Sequence, residues 1–387
     1  MDDTRWIEVD LDKIIHNYRQ VKEMLDPETL FMAVVKANAY GMGMVSVAKA
    51  LSEAGVDWFG VTYANEGITL RQAGISLPIL VFAPLLTKEI DKAISAGLTL
   101  TVSSEDQVEE FNRWAGALDS ELSVHVKVES GMGRTGVFSR QLTEVAEKIV
   151  QSSHLKLQGI YTHFPRAAKS GVTEKQYHQF TAALEQLEEA DIDVPLVHCC
   201  NSTATINYPK MHRSLVRVGT LLYGQYPGGG RGNLDIRDPW SARCQVTYLR
   251  KVPRGTGVGY GQEYSTRRDT FIGIIPFGTA DGFGVTAVSR AKSWLDLLKM
   301  LVKTILNFLG RVDTQQQVYV DGRTYPVIGR LGMQLSMVDF GTDPPLKPGD
   351  TVNVFLRRVT AAGYLERRYY LAGDRVFLDN KPAEETE

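Results

Sequence analysis

Short apolar runs recur along the first 220 residues, near 31–35, 58–62, 78–82, 98–102, 122–128, 156–161, 195–199 and 215–218. Each has the length of a buried strand. Most gaps between them carry apolar residues at helical spacing, as at 45–54, 141–151 and 174–190. Strand and helix in alternation predict parallel strands covered by helices. Eight such runs favour an α/β fold of the (β/α)8 TIM-type barrel over an open sheet.

The pattern changes at Gln225-Tyr226-Pro227-Gly228-Gly229-Gly230, a glycine-rich break that reads as a linker. Strand-like runs follow at 244–252, 270–276, Gln317–Val320, 335–340 and 352–356, separated by turn signals such as Asp321-Gly322. They predict a mainly antiparallel β domain over 229–387, after a barrel over 10–228. The alternating stretch Trp6-Ile7-Glu8-Val9-Asp10-Leu11 can join that second domain through residues 1–9. One segment, 289–309, instead has Trp294, Leu297, Leu298, Leu301, Val302, Ile305, Phe308 and Leu309 on a helical stripe, opposed by Lys292, Asp296, Lys299 and Lys303. This predicts an amphipathic helix packed on its own chain or a second subunit, with a membrane-surface helix as the other placement.

Composition narrows the partners. The 387 residues are 43% hydrophobic and 23% charged, and the net charge of −2 offers no broad field for nucleic acid or an anionic membrane. Neither partner is expected on that ground. Cys199, Cys200 and Cys244 form no disulfide framework, which suits a reducing, cytoplasmic setting. The start, Met1-Asp2-Asp3-Thr4-Arg5-Trp6, lacks the apolar core of a secretory signal, and no uncharged run has bilayer length.

Candidate chemistry gathers where the barrel strands should end. Lys36 follows the run 31–35 at once, then come Ala37-Asn38-Ala39-Tyr40-Gly41. A lysine there is either a surface side chain or an amine that forms a Schiff base with a carbonyl cofactor. Gly131-Met132-Gly133-Arg134-Thr135-Gly136 follows the run 122–128, with Lys127 inside it. The glycines allow close backbone approach, and Arg134 can fork onto a carboxylate. His163 and the group His198-Cys199-Cys200-Asn201-Ser202 end the next runs. No spaced Cys or His pair completes a metal site, so no metal is expected. Asn201 and Ser202 can serve a phosphate, as can the backbone at Gly219 and Thr220, just after Arg217. A lysine on strand one facing a phosphate cradle on strands seven and eight suits pyridoxal 5'-phosphate. In the β domain, Tyr260 stands between Gly259 and Gly261, free to protrude as an acid or base or simply a turn aromatic.

These pieces, in this order from Lys36 to about Phe340, resemble the alanine racemase family. The further landmarks are Ala280–Gly282 and Gly329–Met333. The resemblance implies a pyridoxal-phosphate barrel plus β domain, acting as a homodimer whose sites are shared between subunits. It implies that Lys36 is the cofactor lysine and one catalytic base, and that Tyr260 of the other subunit is the opposing base. It assigns Arg217 to the pyridine nitrogen, Tyr40, Ser202, Gly219 and Thr220 to phosphate, and His163 to the side of the cofactor ring. Arg134 and Met333 fall near the substrate, and Lys127 matches a lysine that the family often carbamylates. The implied reaction is the interconversion of L- and D-alanine, or a related small amino acid, by two opposed bases.

The chain departs from the family pattern at Met42, Thr279, Gln334 and Ala168. A C-terminal Tyr-Glu pair has only Gly363-Tyr364-Leu365-Glu366 as a loose counterpart. These departures keep open a larger amino acid, a decarboxylase of the same architecture, and a non-catalytic cofactor-binding homologue.

Overall fold

All eight apolar runs of the first 220 residues are strands: Leu30–Val34, Trp58–Val61, Ile79–Val81, Thr99–Val102, Leu122–Glu129, Leu155–Tyr161, Leu196–His198 and Leu215–Val218. Neighbours in that order pair in parallel. The last strand returns to the first, with Arg217 beside Met32. Between the seventh and eighth, the ladder persists as a bridge of Asn201 with Arg217 and a 3.0 Å bond from the Arg217 N–H to the Cys200 carbonyl. The ring is a nearly closed (β/α)8 barrel. Met32, Trp58, Leu80, Tyr161 and Leu215, from strands remote in sequence, pack as one buried cluster.

The structure is a computed structural model that describes residues 4–226, 233–285, 291, 293–308 and 316–376. Two compact units divide the chain: Met1–Val9 with Trp240–Arg368, and the barrel unit, Asp10–Pro239 with Tyr369–Glu387. The glycines at 228–230 and both ends of the 289–309 segment lie outside the described residues.

The first unit is built on a largely antiparallel sheet. Its strand order is Tyr248–Val252, Thr270–Ile275, Ser336–Asp339, Arg323–Ile328, Gln317–Val320, Thr351–Val354, Trp240–Gln245 and Arg5–Asp10. The apolar run 244–252 is therefore parts of two strands that five others separate in the sheet. Trp240–Gln245 pairs with Thr351–Val354, and Tyr248–Val252 pairs with Thr270–Ile275. The alternating N-terminal stretch pairs antiparallel with Trp240–Gln245. Arg323–Ile328 escaped the sequence reading because it contains Pro326 and opens on Arg-Thr, which weaken a strand signal.

The amphipathic segment forms a helix over Trp294–Phe308. Its own chain leaves the apolar stripe open, with Trp294 72% and Leu297 62% exposed. Among the described residues, no helix is long and apolar enough to cross a membrane.

Candidate active site

Lys36 stands where the first barrel strand ends, and the backbone after it is unusual. Ala37, Asn38, Ala39 and Tyr40 all have left-handed φ, between 51° and 56°. Four consecutive non-glycine residues in this region carry strain of roughly 1–2 kcal/mol each. Local bonds hold them there. The Glu66 carboxylate accepts the N–H of Ala37 at 2.6 Å, of Thr62 at 2.8 Å and of Tyr63 at 3.0 Å. Asn38 Oδ1 accepts the Met44 N–H at 2.8 Å. A Cβ on Gly43 would lie 1.8 Å from Tyr369 Oη, so the tail of the barrel unit packs against this same loop.

Lys36 lines a cavity of about 620 Å³. Every candidate residue carried by the barrel unit lines it too: Tyr40, Lys127, Arg134, His163, Asn201, Ser202, Arg217, Gly219 and Thr220. Residues 184 positions apart in sequence (36 and 220) thus converge. The lining contains Lys36, Lys127, Arg134 and Arg217 and no carboxylate among the described residues. Such a cavity favours a ligand carrying several negative charges. The crowding shows in the titrating groups. Burial, and then the Arg134 charge, lower the Lys36 pKa from its ordinary value, against the pull of Glu66. Burial and Arg134 lower Lys127 to about 8. Burial, with Arg217, Arg134, Lys36 and Lys127 around it, brings His163 to about 3, so its imidazole is neutral.

Arg217 is buried and held from both ends. One terminal nitrogen donates to His198 Nδ1 at 2.7 Å; the other donates to the Thr162 carbonyl at 2.8 Å and faces His163 Nδ1 at 3.3 Å. Arginine cannot accept, so His198 Nδ1 is the acceptor and its proton sits on Nε2. That proton points to His125 Nδ1, 2.9 Å away. Burial, and then the Arg217 charge, push the His198 pKa well below its ordinary value. Burial brings His125 to about 3. The pair is therefore a neutral strut that orients Arg217 without adding charge. His125 gave no separate signal in the sequence, because a single His on a buried strand reads as core.

The opposite end of the cavity is a cradle of small groups. Ser202 Oγ accepts the Gly219 N–H at 2.9 Å, which leaves the Ser202 proton to donate. A Cβ on Gly219 would lie 2.5 Å from Tyr40 Oη, so glycine there lets the phenol close in. The Tyr40 ring leans on buried Tyr223 with centroids 4.7 Å apart. Two expectations change here. Asn201 caps the helix Ser202–Asn207, accepting from Thr203 and Ala204, and its amide donates to the Phe164 carbonyl. The Gly219 N–H goes to Ser202. Both residues therefore shape the cradle more than they reach into it. Lys127 donates to Thr135 Oγ1 at 2.6 Å, a partner the sequence did not single out. Glu66 was also passed over, although an acid in the first turn of the helix Ala64–Gln72 is a readable capping signal.

Tyr260 and Met333 belong to the other unit. Each is 75% exposed. Gly259 and Gly261, with φ of 77° and 68°, bracket Tyr260 and turn it outward. The Met333 carbonyl accepts the Ala280 N–H at 2.9 Å, which holds that loop against the turn Thr279–Asp281. Tyr364 donates to buried Asp281 at 2.9 Å, so this loose counterpart of a C-terminal tyrosine braces its own unit. Among the described residues, no cluster of His, Cys, Asp or Glu could hold a metal ion.

Residues 9–227 match the family described as alanine racemase, N-terminal domain, and residues 240–367 match alanine racemase, C-terminal domain. The chain is 34% identical over 355 residues to an alanine racemase of Methanococcus maripaludis, covering 90% of this chain and 88% of the relative. It is 35% identical over 350 residues to one of Halothermothrix orenii, covering 90% and 86%. Among solved structures, an alanine racemase of Clostridium difficile 630 superposes with a TM-score of 0.86 at 28% identity, covering 97% of this chain and 98% of that one. One of Bacillus anthracis with bound L-Ala-P superposes with a TM-score of 0.81 at 27% identity, covering 97% of each.

Proposed function

The chain belongs to the alanine racemase family, and from that premise we propose that it interconverts L- and D-alanine at the barrel cavity, using pyridoxal phosphate. The observation that carries this reading is the meeting of Lys36, Arg134, Arg217 and the Tyr40–Ser202–Gly219 cradle in one cavity whose lining, among the described residues, has no carboxylate. The donor set fits the cofactor. Tyr40 Oη and the Ser202 hydroxyl would hold its phosphate, Lys36 its aldehyde carbon and Arg217 its ring nitrogen. Bound there, the cofactor supplies the electron sink that acidifies the α-hydrogen of the amino acid.

The protein's own groups do the rest. A lowered pKa leaves more of Lys36 as the neutral amine near neutral pH, the form that a base at one face of the α-carbon requires. Arg134 binds the substrate carboxylate. Arg217 stays protonated, so it would donate to the ring nitrogen of a bound cofactor and leave that nitrogen without a proton. The weaker sink favours simple proton exchange over side reactions. Tyr260, contributed by a second subunit, serves the opposite face; its exposure between two glycines supports that use. Two bases on opposite faces account for inversion.

Lys127 carries a separate proposal. At about pH 8 for half-protonation, roughly a tenth of it is neutral at pH 7, against far less for an ordinary lysine. Only a neutral amine takes up carbon dioxide, and the resulting carbamate would turn a cation into an anion beside Arg134. The three cysteines are free and buried, which supports a reducing, cytoplasmic location.

The reaction is tested by incubating holoenzyme with L-alanine in heavy water. Deuterium at the α-carbon with a rising D-fraction is expected, and both should vanish in Lys36→Ala. Release of carbon dioxide without D-alanine would overturn the assignment.

A further inference from the structure

The loop 131–136 carries Arg134, and we propose that Glu129 is its positioning residue, a carboxylate that clamps the loop backbone so that Arg134 meets the carboxylate of the substrate. The inference rests on the reading of Arg134 as the substrate-binding group. Glu129 is the last residue of the strand Leu122–Glu129. One of its oxygens accepts the Gly131 N–H at 2.5 Å; the other accepts the Gly133 N–H at 3.0 Å and the Arg134 N–H at 3.4 Å. Gly131 and Gly133 reach these positions with φ of 119° and 67°, the region that favours glycine. Backbone N–H groups turned inward in this way form a nest that binds an anion, and here the anion is the chain's own side chain. Burial raises the Glu129 pKa, but the N–H donors of Gly133, Gly131, Arg134 and Met132 outweigh it and leave the carboxyl below its ordinary value. The clamp is therefore charge-assisted at neutral pH.

Around the clamp the loop is closely packed. A Cβ on Gly131 would lie 2.4 Å from Nε2 of buried Gln176, on the helix Ser170–Glu189. A Cβ on Gly136 would lie 2.8 Å from the Glu129 nitrogen, so the chain returns onto the residue that grips it. Beyond Arg134, Lys127 donates to Thr135 Oγ1 at 2.6 Å. The backbone that carries Arg134 is thus fastened on both sides. The guanidinium is left out of these contacts: among the described residues it has no hydrogen bond or ion pair. An acid paired with the guanidinium would neutralise it. An acid that holds the backbone instead fixes the base of the side chain and leaves its charge for a ligand carboxylate. Gly131, Gly133 and Arg134 are themselves exposed, where water competes for their N–H groups. Without the carboxylate, the two glycines would regain the conformational freedom that the clamp removes.

Holoenzyme is titrated with propionate, which carries the carboxylate of alanine and no amine, and binding is read from the visible band of the cofactor. Glu129→Gln turns one accepting oxygen into a donor that faces N–H groups, and should weaken propionate about tenfold; Glu129→Ala should weaken it about a hundredfold. The KM for L-alanine should rise by the same factors. The Kd for pyridoxal phosphate should stay at the wild-type value, since the residues that would hold it lie elsewhere in the cavity. Amide exchange across 131–134 should quicken in Glu129→Gln, in apoenzyme and holoenzyme alike. In an Arg134→Gln background, Glu129→Gln should add little to the loss of propionate affinity. Wild-type propionate affinity in Glu129→Ala would overturn the proposal. So would equal losses of propionate and cofactor affinity, which would make Glu129 a residue of the fold alone, or losses that add to those of Arg134→Gln. The propionate titration needs no turnover. Protein that binds propionate with the expected variant pattern but does not racemise alanine would refute the proposed function while supporting the clamp.

Discussion

Gly219→Ala probes the phosphate cradle at one atom. The added methyl carbon would stand 2.5 Å from Tyr40 Oη and 3.1 Å from Cζ, where ordinary contact begins near 3.4 Å. The phenol must therefore move by about 0.9 Å (3.4 − 2.5). It has little room to do so. Its ring rests on Tyr223, which is buried and tied to the Val34 carbonyl at 3.0 Å. Gly219 has no left-handed φ, so the backbone itself accepts alanine, and the effect stays local. Overpacking costs roughly 1–3 kcal/mol, and a misplaced hydrogen bond to a charged phosphate costs ~1.5–3 kcal/mol. With part of the strain absorbed by relaxation, we expect a net loss of about 2–4 kcal/mol, or ~30- to 1000-fold in cofactor Kd. The assay is titration of apoenzyme with pyridoxal phosphate, followed by visible absorption. Tyr40→Phe removes the clashing oxygen along with its hydrogen bond, so the pair should be strongly non-additive. Gly219→Ala should cost much less in the Tyr40→Phe background than in the wild type. Additive losses, or a single variant with wild-type Kd, would refute the cradle as described.

Tyr260→Phe should leave cofactor affinity intact, because the cavity residues all lie in the barrel unit, and should slow racemisation by about 10²–10⁴-fold in at least one direction. Unchanged rates both ways would remove Tyr260 from the reaction. Lys127→Met should stabilise the apoenzyme at neutral pH. The folded pKa of about 8 lies below the ordinary 10.5, so the unfolded chain holds more protons in that window and wild-type stability rises with pH across it. The advantage of the methionine variant should therefore be full below pH 8 and fade toward pH 10.5, as read by denaturant midpoints along a pH series. A pH-independent difference would mean that packing, not charge, governs the site.

Much of this molecule was legible along the chain. The barrel was read from eight apolar runs because buried parallel strands are apolar on both faces and leave an unbroken signature. Lys36, Arg134, His163 and Arg217 were legible because barrel chemistry sits where strands end. The β domain was harder. The run 244–252 hides a break between strands, since apolar character continues through Val246 between two strands that five others separate in the sheet. Glu66 was missed because it acts on backbone N–H groups, and nothing in a side-chain pattern announces that.

The sequence by itself determined the barrel-plus-sheet architecture and the family, and it singled out Lys36 as the candidate reactive lysine. Each of these is written in local order: run length, strand ends and motif spacing. Tertiary structure alone decided the rest. It brought Lys36, Arg134, Arg217 and Thr220 around one cavity with no carboxylate among its described lining residues, set the His125–His198–Arg217 strut and its tautomers, and held four residues after Lys36 in a left-handed turn. It also left the apolar face of Trp294–Phe308 open. The reason is physical. Periodicity reports that a residue is to be covered, but which distant group covers it depends on strand pairing across the whole ring.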